Sequence, residues 1–223
     1  MLGQEPEAGR QCESTIRGRR GAPTCCDQPV LWANCLVRKI TEAALREAAL
    51  SHLARFAATE AGLRRVLGNR IRRWARAAAQ EGQDAESVAT ARATATQQAA
   101  AIAAQLVQAG VVDDALFAQA RVRRLRRSGR SSRATLAHLA TKGVAGQVAS
   151  AALSQEDVPD ELTAALIRCR KRRFGPFAPP DSDPALRQKW LVSLARAGFA
   201  GEVARHAVRL THAEAEAHLG QTP

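Results

Sequence analysis

The chain has 223 residues, 46% of them apolar, which is enough to bury a core and too many for a wholly disordered tail. Aromatics are only 4%, with no Tyr, and the apolar share leans on Ala and Leu; this excludes a β-sandwich or barrel and points to helices, where those two residues lose little freedom. A formal charge of +12 suits a polyanionic partner such as nucleic acid, an acidic protein face or an anionic membrane surface, while no run approaches the roughly 20 apolar residues that a membrane span needs.

Residues 1–40 have no helical or strand period and are punctuated by Pro6, Gly9, Gly18, Gly21, Pro23 and Pro29, so they are expected to form a disordered extension. Glu5, Glu7, Arg10 and Glu13 interrupt any signal-peptide pattern, and the chain is expected in the cytoplasm. Cys12, Cys25, Cys26 and Cys35 crowd this stretch without the paired C-x2-4-C spacing of a structural zinc site, and Cys169 stands alone. No metal site, cofactor or disulfide framework is expected.

Order is expected to begin at Thr41, an N-cap, with Leu45, Ala49, Leu53 and Phe56 on one helical face. A second, short helix is expected from the cap Thr59 through Leu63, Val66 and Leu67, stopped by Gly68-Asn69. The Ala/Gln/Thr/Arg-rich stretch at about 72–96 reads as an insertion or a solvated helix, with Gly82 its one strong breaker, before a long helix that ends at Gly110. Together 41–110 make a first helical unit.

The strongest signal downstream is internal repetition. Residues 139–152 (LATKGVAGQVASAA) and 194–207 (LARAGFAGEVARHA) lie 55 residues apart and agree at eight of fourteen positions, with a fainter echo at 106–111. In each copy a helix is expected to end at the glycine, whose missing Cβ permits positive φ, and the next apolar residue to pin the turn to the core. The repeats define a second unit at 111–155 and a third at 156–212, followed by a tail at 213–223. Single small units bury too little surface to be stable alone, so the architecture expected is all-α, an elongated array of three tandem helical units.

Each unit carries a basic cluster: Arg64, Arg65, Arg70, Arg72, Arg73 and Arg76; then Arg121, Arg123, Arg124, Arg126, Arg127, Arg130 and Arg133; then Arg168, Arg170, Lys171, Arg172 and Arg173. On a helix starting near Asp113, Leu116 or Phe117 with Val122 and Leu125 can face the core, while Arg123, Arg127 and Arg130 share an outward stripe. Stacking would align such stripes into one strip, and the planar guanidinium fork suits phosphate and carboxylate. A solvated face is the bland alternative for any one cluster. Asp113-Asp114 and Asp157/Asp160/Glu161 read as helix starts rather than acid–base pairs. No phosphate-binding glycine loop, nucleophile elbow or metal-binding histidine pair is present, so no active site is expected.

Residues 110–144, GVVDDALFAQARVRRLRRSGRSSRATLAHLATKGV, resemble the central repeat of the RecX family of recombinase regulators. The resemblance rests on Asp113-Asp114, Phe117-Ala118, the basic helix, Gly129 and the ending Leu139-x-x-Lys142-Gly143-Val144. Residues Arg172-Arg173-Phe174-Gly175-Pro176, with Leu191, Leu194 and Arg196-Ala197-Gly198-Phe199, resemble the third repeat, and 41–67 is similar to the weaker first. The sequence departs from the pattern at Arg121, at Arg130-Ser131-Ser132 and at His138. The resemblance implies three tandem three-helix repeats and a monomeric, non-catalytic protein that binds the RecA recombinase filament, with single-stranded DNA a further candidate ligand. It also implies limits on filament extension, ATP turnover and strand exchange. The basic strip expected to make these contacts is Arg123, Arg124, Arg127, Arg130, Arg133, Lys142, Arg168, Lys171, Arg172 and Arg173. The competing reading, from charge alone, is a sequence-nonspecific DNA-binding protein.

Overall fold

The computed structural model describes residues 39–180, 182–183 and 185–221. The expected extension, except for its last two residues, and its four cysteines lie outside them. Ten α-helices and one 3₁₀ turn account for the regular structure of the described residues, with no strand among them.

Helix α1 (Glu42–Leu53) starts where Thr41 accepts a hydrogen bond from the Ala44 amide, and it buries Leu45 and Ala49. It stops at Leu53, so Phe56 falls beyond the helical period and is 56% exposed rather than joining that face. Helix α2 (Glu60–Gln80) starts at the cap Thr59 but runs through Gly68-Asn69, which does not act as a stop. Gly68 stays helical because Leu63, Leu67, Ile71 and Ala78 form one buried stripe across it. That packing outweighs the roughly 1 kcal/mol that a glycine costs inside a helix. Gly82, at φ +76°, ends the run, and Asp84 caps α3 (Ala85–Gln108). The 72–96 stretch is therefore the distal end of an α2–α3 hairpin, with Ala78 and Ala95 buried and its Arg, Gln and Thr residues largely outside.

Helices α4 (Asp114–Arg127), α5 (Ser132–Lys142) and α6 (Gly146–Leu153) follow, then α7 (Glu161–Arg172), the 3₁₀ turn Gly175–Phe177, α8 (Leu186–Arg196) and α9 (Gly201–Arg209). The repeated glycines behave alike: Gly143 (φ +83°) and Gly198 (φ +90°) end their helices, and Val144 and Phe199 behind them are buried. In the fainter copy it is Val112, not Val111, that is pinned, while Val111 stays exposed. Residues 213–221 are not simply a tail. Thr211 and Glu214 form a reciprocal capping box that starts α10 (His212–Gly220), Ala215 is buried, and Glu216 and His218 reach Arg170 and Thr163 of α7.

The buried side chains fall into three clusters. Leu45, Leu63, Leu67, Ile71, Ile102 and Leu106 belong to the first, Val122, Leu139 and Val144 to the second, and Leu166, Cys169, Phe174, Leu194 and Phe199 to the third. The second is small and made mostly of Ala and Val, so its helices depend on their neighbours.

The joints between units repeat one chemical device. At the first, the hydroxyl of Thr59 accepts from the Gly62 amide and donates to the Lys142 carbonyl at 2.6 Å. Asp114, the first residue of α4, accepts from the Glu60 amide at 2.9 Å. At the second, Ser131 accepts from Ala134 and donates to the Ala197 carbonyl at 2.7 Å, and Glu161, the first residue of α7, accepts from the Ser132 amide at 3.1 Å. One hydroxyl thus caps the middle helix of one unit and ties the last turn of the middle helix of the next. An acid at the start of each following unit satisfies an amide that a helix N-terminus leaves open. Both hydroxyls are buried, which their pairing makes affordable. The second joint adds Arg126, only 2% exposed, whose guanidinium donates to the carbonyls of Pro159 and Arg130 and to Glu161 at 2.7 Å.

Candidate partner-binding surface

The ten cations expected to form a strip do not share one fate. Arg124, Arg127, Arg130, Arg133, Lys171, Arg172 and Arg173 are exposed, and Lys142 is half-buried at the first joint. Arg123 is neutralised: its Nε lies 2.5 Å from Asp157, and Gln155 accepts from its Nη2. The outward stripe of Arg123, Arg127 and Arg130 therefore loses its first member to the turn before α7. Arg126, in the same basic run, is a buried strut of the fold. Arg170 pairs with Glu216 at 3.4 Å, an exposed contact of little strength.

What the fold does bring together is a band that crosses both joints. Arg65 donates to the Thr141 carbonyl beside Lys142, and Arg121 donates its Nε–H to His138 at 3.0 Å. Arg121, Arg130 and Lys142 are all near enough to His138 to disfavour its protonation electrostatically. Arg130 and Arg172 in turn flank Arg168, and Lys171 donates to the Ser128 carbonyl across the second joint. Bonds to backbone carbonyls hold Arg65 and Lys171 in place, while screening lowers the repulsion between the exposed heads.

Burial first, and then those three cations, push His138 below the ordinary histidine range, so it is neutral at pH 7 and accepts the Arg121 bond. A histidine that is harder to protonate folded than unfolded binds fewer protons in the native state. Its contribution is therefore present above about pH 6.5 and is lost as pH falls through the depressed folded value. Thermal melts at pH 7.5 and pH 5 are expected to show a drop that His138→Gln reduces; identical pH slopes for the two proteins would contradict this account. Cys169 is inert by the same logic, since burial pushes its thiol up to about 12. Among the described residues no group of His, Cys, Asp and Glu could hold a metal ion.

A second surface feature was not legible in the sequence. Leu50, Phe56, Val111 and Leu116 are among the few exposed large apolar side chains, and all four line one groove of about 970 Å³ between the first two units. Of the two candidates for the core face, Phe117 is packed against the second core, whereas Leu116 is 62% exposed in this groove. Arg55, Arg121 and Arg124 lie along the same lining, together with Asp113, whose carboxylate caps α4. A grouped apolar patch with a cationic edge marks a contact surface more strongly than scattered exposed leucines do. The helical period of α4 hid it, because Leu116 and Phe117 compete for one face and only the packing of the neighbouring unit decides between them.

The sequence comparisons agree with this architecture. Residues 113–153 match the family model described as RecX, second three-helix domain, which spans α4 to α6. The chain is 35% identical over 174 residues to a regulatory protein RecX of Myxococcus xanthus, covering 77% of this chain and 87% of the relative. It is 34% identical over 112 residues to the Agrobacterium fabrum protein of that name, covering 50% of this chain and 59% of the relative. A Stenotrophomonas maltophilia relative of the same name is 36% identical over 121 residues, covering 54% of this chain and 71% of the relative. With an all-helical fold and a relative matched over most of both lengths, the chain belongs to the RecX family of regulatory proteins.

Proposed function

We propose that this protein is a non-catalytic, monomeric, cytoplasmic regulator that binds the RecA recombinase filament on single-stranded DNA. It limits filament extension, ATP hydrolysis and strand exchange, and so modulates homologous recombination and DNA repair. The observation that carries this reading is the pairing of the cationic band with the apolar, arginine-edged groove on adjoining units. A bare nucleic-acid binder needs the band but has no use for four exposed apolar side chains in one groove. A nucleoprotein filament presents both an acidic strand and protein surface, and the groove suits an apolar segment of the protein flanked by Asp or Glu. The relatives' name, regulatory protein, supports the same reading.

Titrating the protein into RecA on single-stranded DNA is expected to slow ATP hydrolysis at sub-stoichiometric amounts. Leu116→Gln, which removes the apolar contact without adding charge beside Arg121 and Arg124, is expected to raise the half-inhibiting concentration about tenfold, the scale of one buried leucine contact, while leaving affinity for free single-stranded DNA unchanged. Turnover unaffected throughout the titration would reject the regulator reading. A variant weakened equally in both assays would favour the charge-driven DNA binder, whose affinity falls steeply with salt.

A further inference from the structure

A pocket of about 500 Å³ opens between α7 and α8, lined by Arg168, Gln188, Lys189, Val192, Ser193 and Arg196. Three cations, an amide and a hydroxyl share it, and no carboxylate among the described residues lines it. Arg168 sets its character. The Nε of Arg168 is buried without a hydrogen-bond partner among the described residues. Arg168 itself is half-buried and lines the pocket, where its charge meets no carboxylate.

The position of Arg168 is fixed by packing. Gly129 (φ +81°) brings the α4–α5 turn so close that a Cβ there would sit 2.9 Å from the Arg168 amide nitrogen. Neighbouring Leu166 and Cys169 are locked in the third core. Its charge is also frustrated: burial first, then Arg172 and Arg130, make the guanidinium easier to deprotonate than an isolated one. An anion seated in the pocket relieves this, since it screens Arg168 from its cationic neighbours. On α8, Lys189, Ser193 and Arg196 recur at four and three residues, the spacing that puts side chains on one face. Cations from two helices plus a hydroxyl match the several oxygens of a tetrahedral phosphate better than the two coplanar oxygens of a carboxylate.

We infer that the α7–α8 pocket is a seat for one phosphate group, held by the Arg168 fork with Lys189, Arg196 and Ser193. Its source is either the backbone of a nucleic-acid strand or a free nucleotide. The seat is a discrete site within a wider cationic surface, and it does not depend on a recombinase being the partner.

The test therefore uses no recombinase. Binding of the full chain to a fluorescent oligo-dT and to ATP is measured for wild type, Arg168→Ala, Arg168→Lys, Lys189→Ala and Arg196→Ala. Arg187→Ala serves as control, because Arg187 is exposed on the same helix but outside the pocket lining. Each pocket alanine is expected to weaken binding about tenfold, the scale of a hydrogen bond to a charged group, against less than twofold for Arg187→Ala. Arg168→Lys keeps the charge but loses the fork, and is expected to resemble the alanine. Since Lys189 and Arg196 are exposed, their variants report even if Arg168 variants unfold. Loss confined to the oligonucleotide assigns the phosphate to a strand, and loss of ATP binding assigns it to a nucleotide. Equal, small effects at all four positions, or no binding of either probe by wild type, would overturn the seat and leave the filament reading standing.

Discussion

Replacing Arg126 with alanine is expected to cost about 3–5 kcal/mol, measured by urea unfolding, because it breaks a buried pair from one side. The side chain is 2% exposed and donates to two carbonyls and a carboxylate. Removing it leaves the carbonyls of Pro159 and Arg130 without that donor and leaves Glu161 facing a void at the joint between the second and third units. A domain of this size is stabilised by about 5–15 kcal/mol in total, so the loss is a large fraction of what holds the chain together. Arg126→Met, which keeps most of the volume, is expected to be milder, since part of the alanine effect is cavity. Arg126→Lys is expected to stay close to alanine, because a single ammonium cannot reproduce a fork that serves three acceptors. An alanine cost below about 1 kcal/mol, the scale of an exposed ion pair, would mean that the joint is held by something else.

The first joint makes the second large prediction. A Cβ on Gly143 would lie 2.3 Å from the Cβ of Ala61, on a backbone already at φ +83°. Gly143→Ala is therefore expected to combine the roughly 1 kcal/mol of a left-handed non-glycine residue with an overlap that costs about 1–3 kcal/mol more. Gly82→Ala separates the two contributions: φ there is +76°, but nothing lies within 4 Å, so only the backbone part should appear. Adding Ala61→Gly to Gly143→Ala removes the clashing atom and leaves the Ala61 Cα at 3.7 Å, an ordinary contact. The double variant is expected to recover most of the difference, which a double-mutant cycle on thermal or urea unfolding measures directly. No recovery would show that the glycine is needed for its dihedral angle alone.

These two sites explain why the 55-residue repeat is readable. Gly143 and Gly198 each end a middle helix, and each lies against the N-terminus of the middle helix in the preceding unit: Gly143 against Ala61, Gly198 against Ser131. The same contact recurs, so the same residue does. The hydroxyl partners Thr59 and Ser131 carry a weaker signal, because Ser and Thr are common N-caps whether or not they also donate to another unit. Asp114 and Glu161 are legible as helix starts, but nothing local says that their carboxylates reach the amides of Glu60 and Ser132.

Composition and period by themselves determined that the chain is helical, basic and repetitive, and they placed helix starts at Thr41 and Thr59, near Asp113, and around Pro159, where the cap is Asp160. Those features depend on neighbours within one or two turns, where capping and side-chain spacing act. Tertiary structure alone decided which arginines meet an acid and which one is buried. Arg123, Arg126 and Arg170 look like their neighbours in the sequence but meet Asp157, Glu161 and Glu216, 34, 35 and 46 residues away. It also decided that α2 outruns Gly68 and that Leu116 stays outside. In each case the competing local preferences differ by about 1 kcal/mol or less, and the burial of a distant side chain is larger than that.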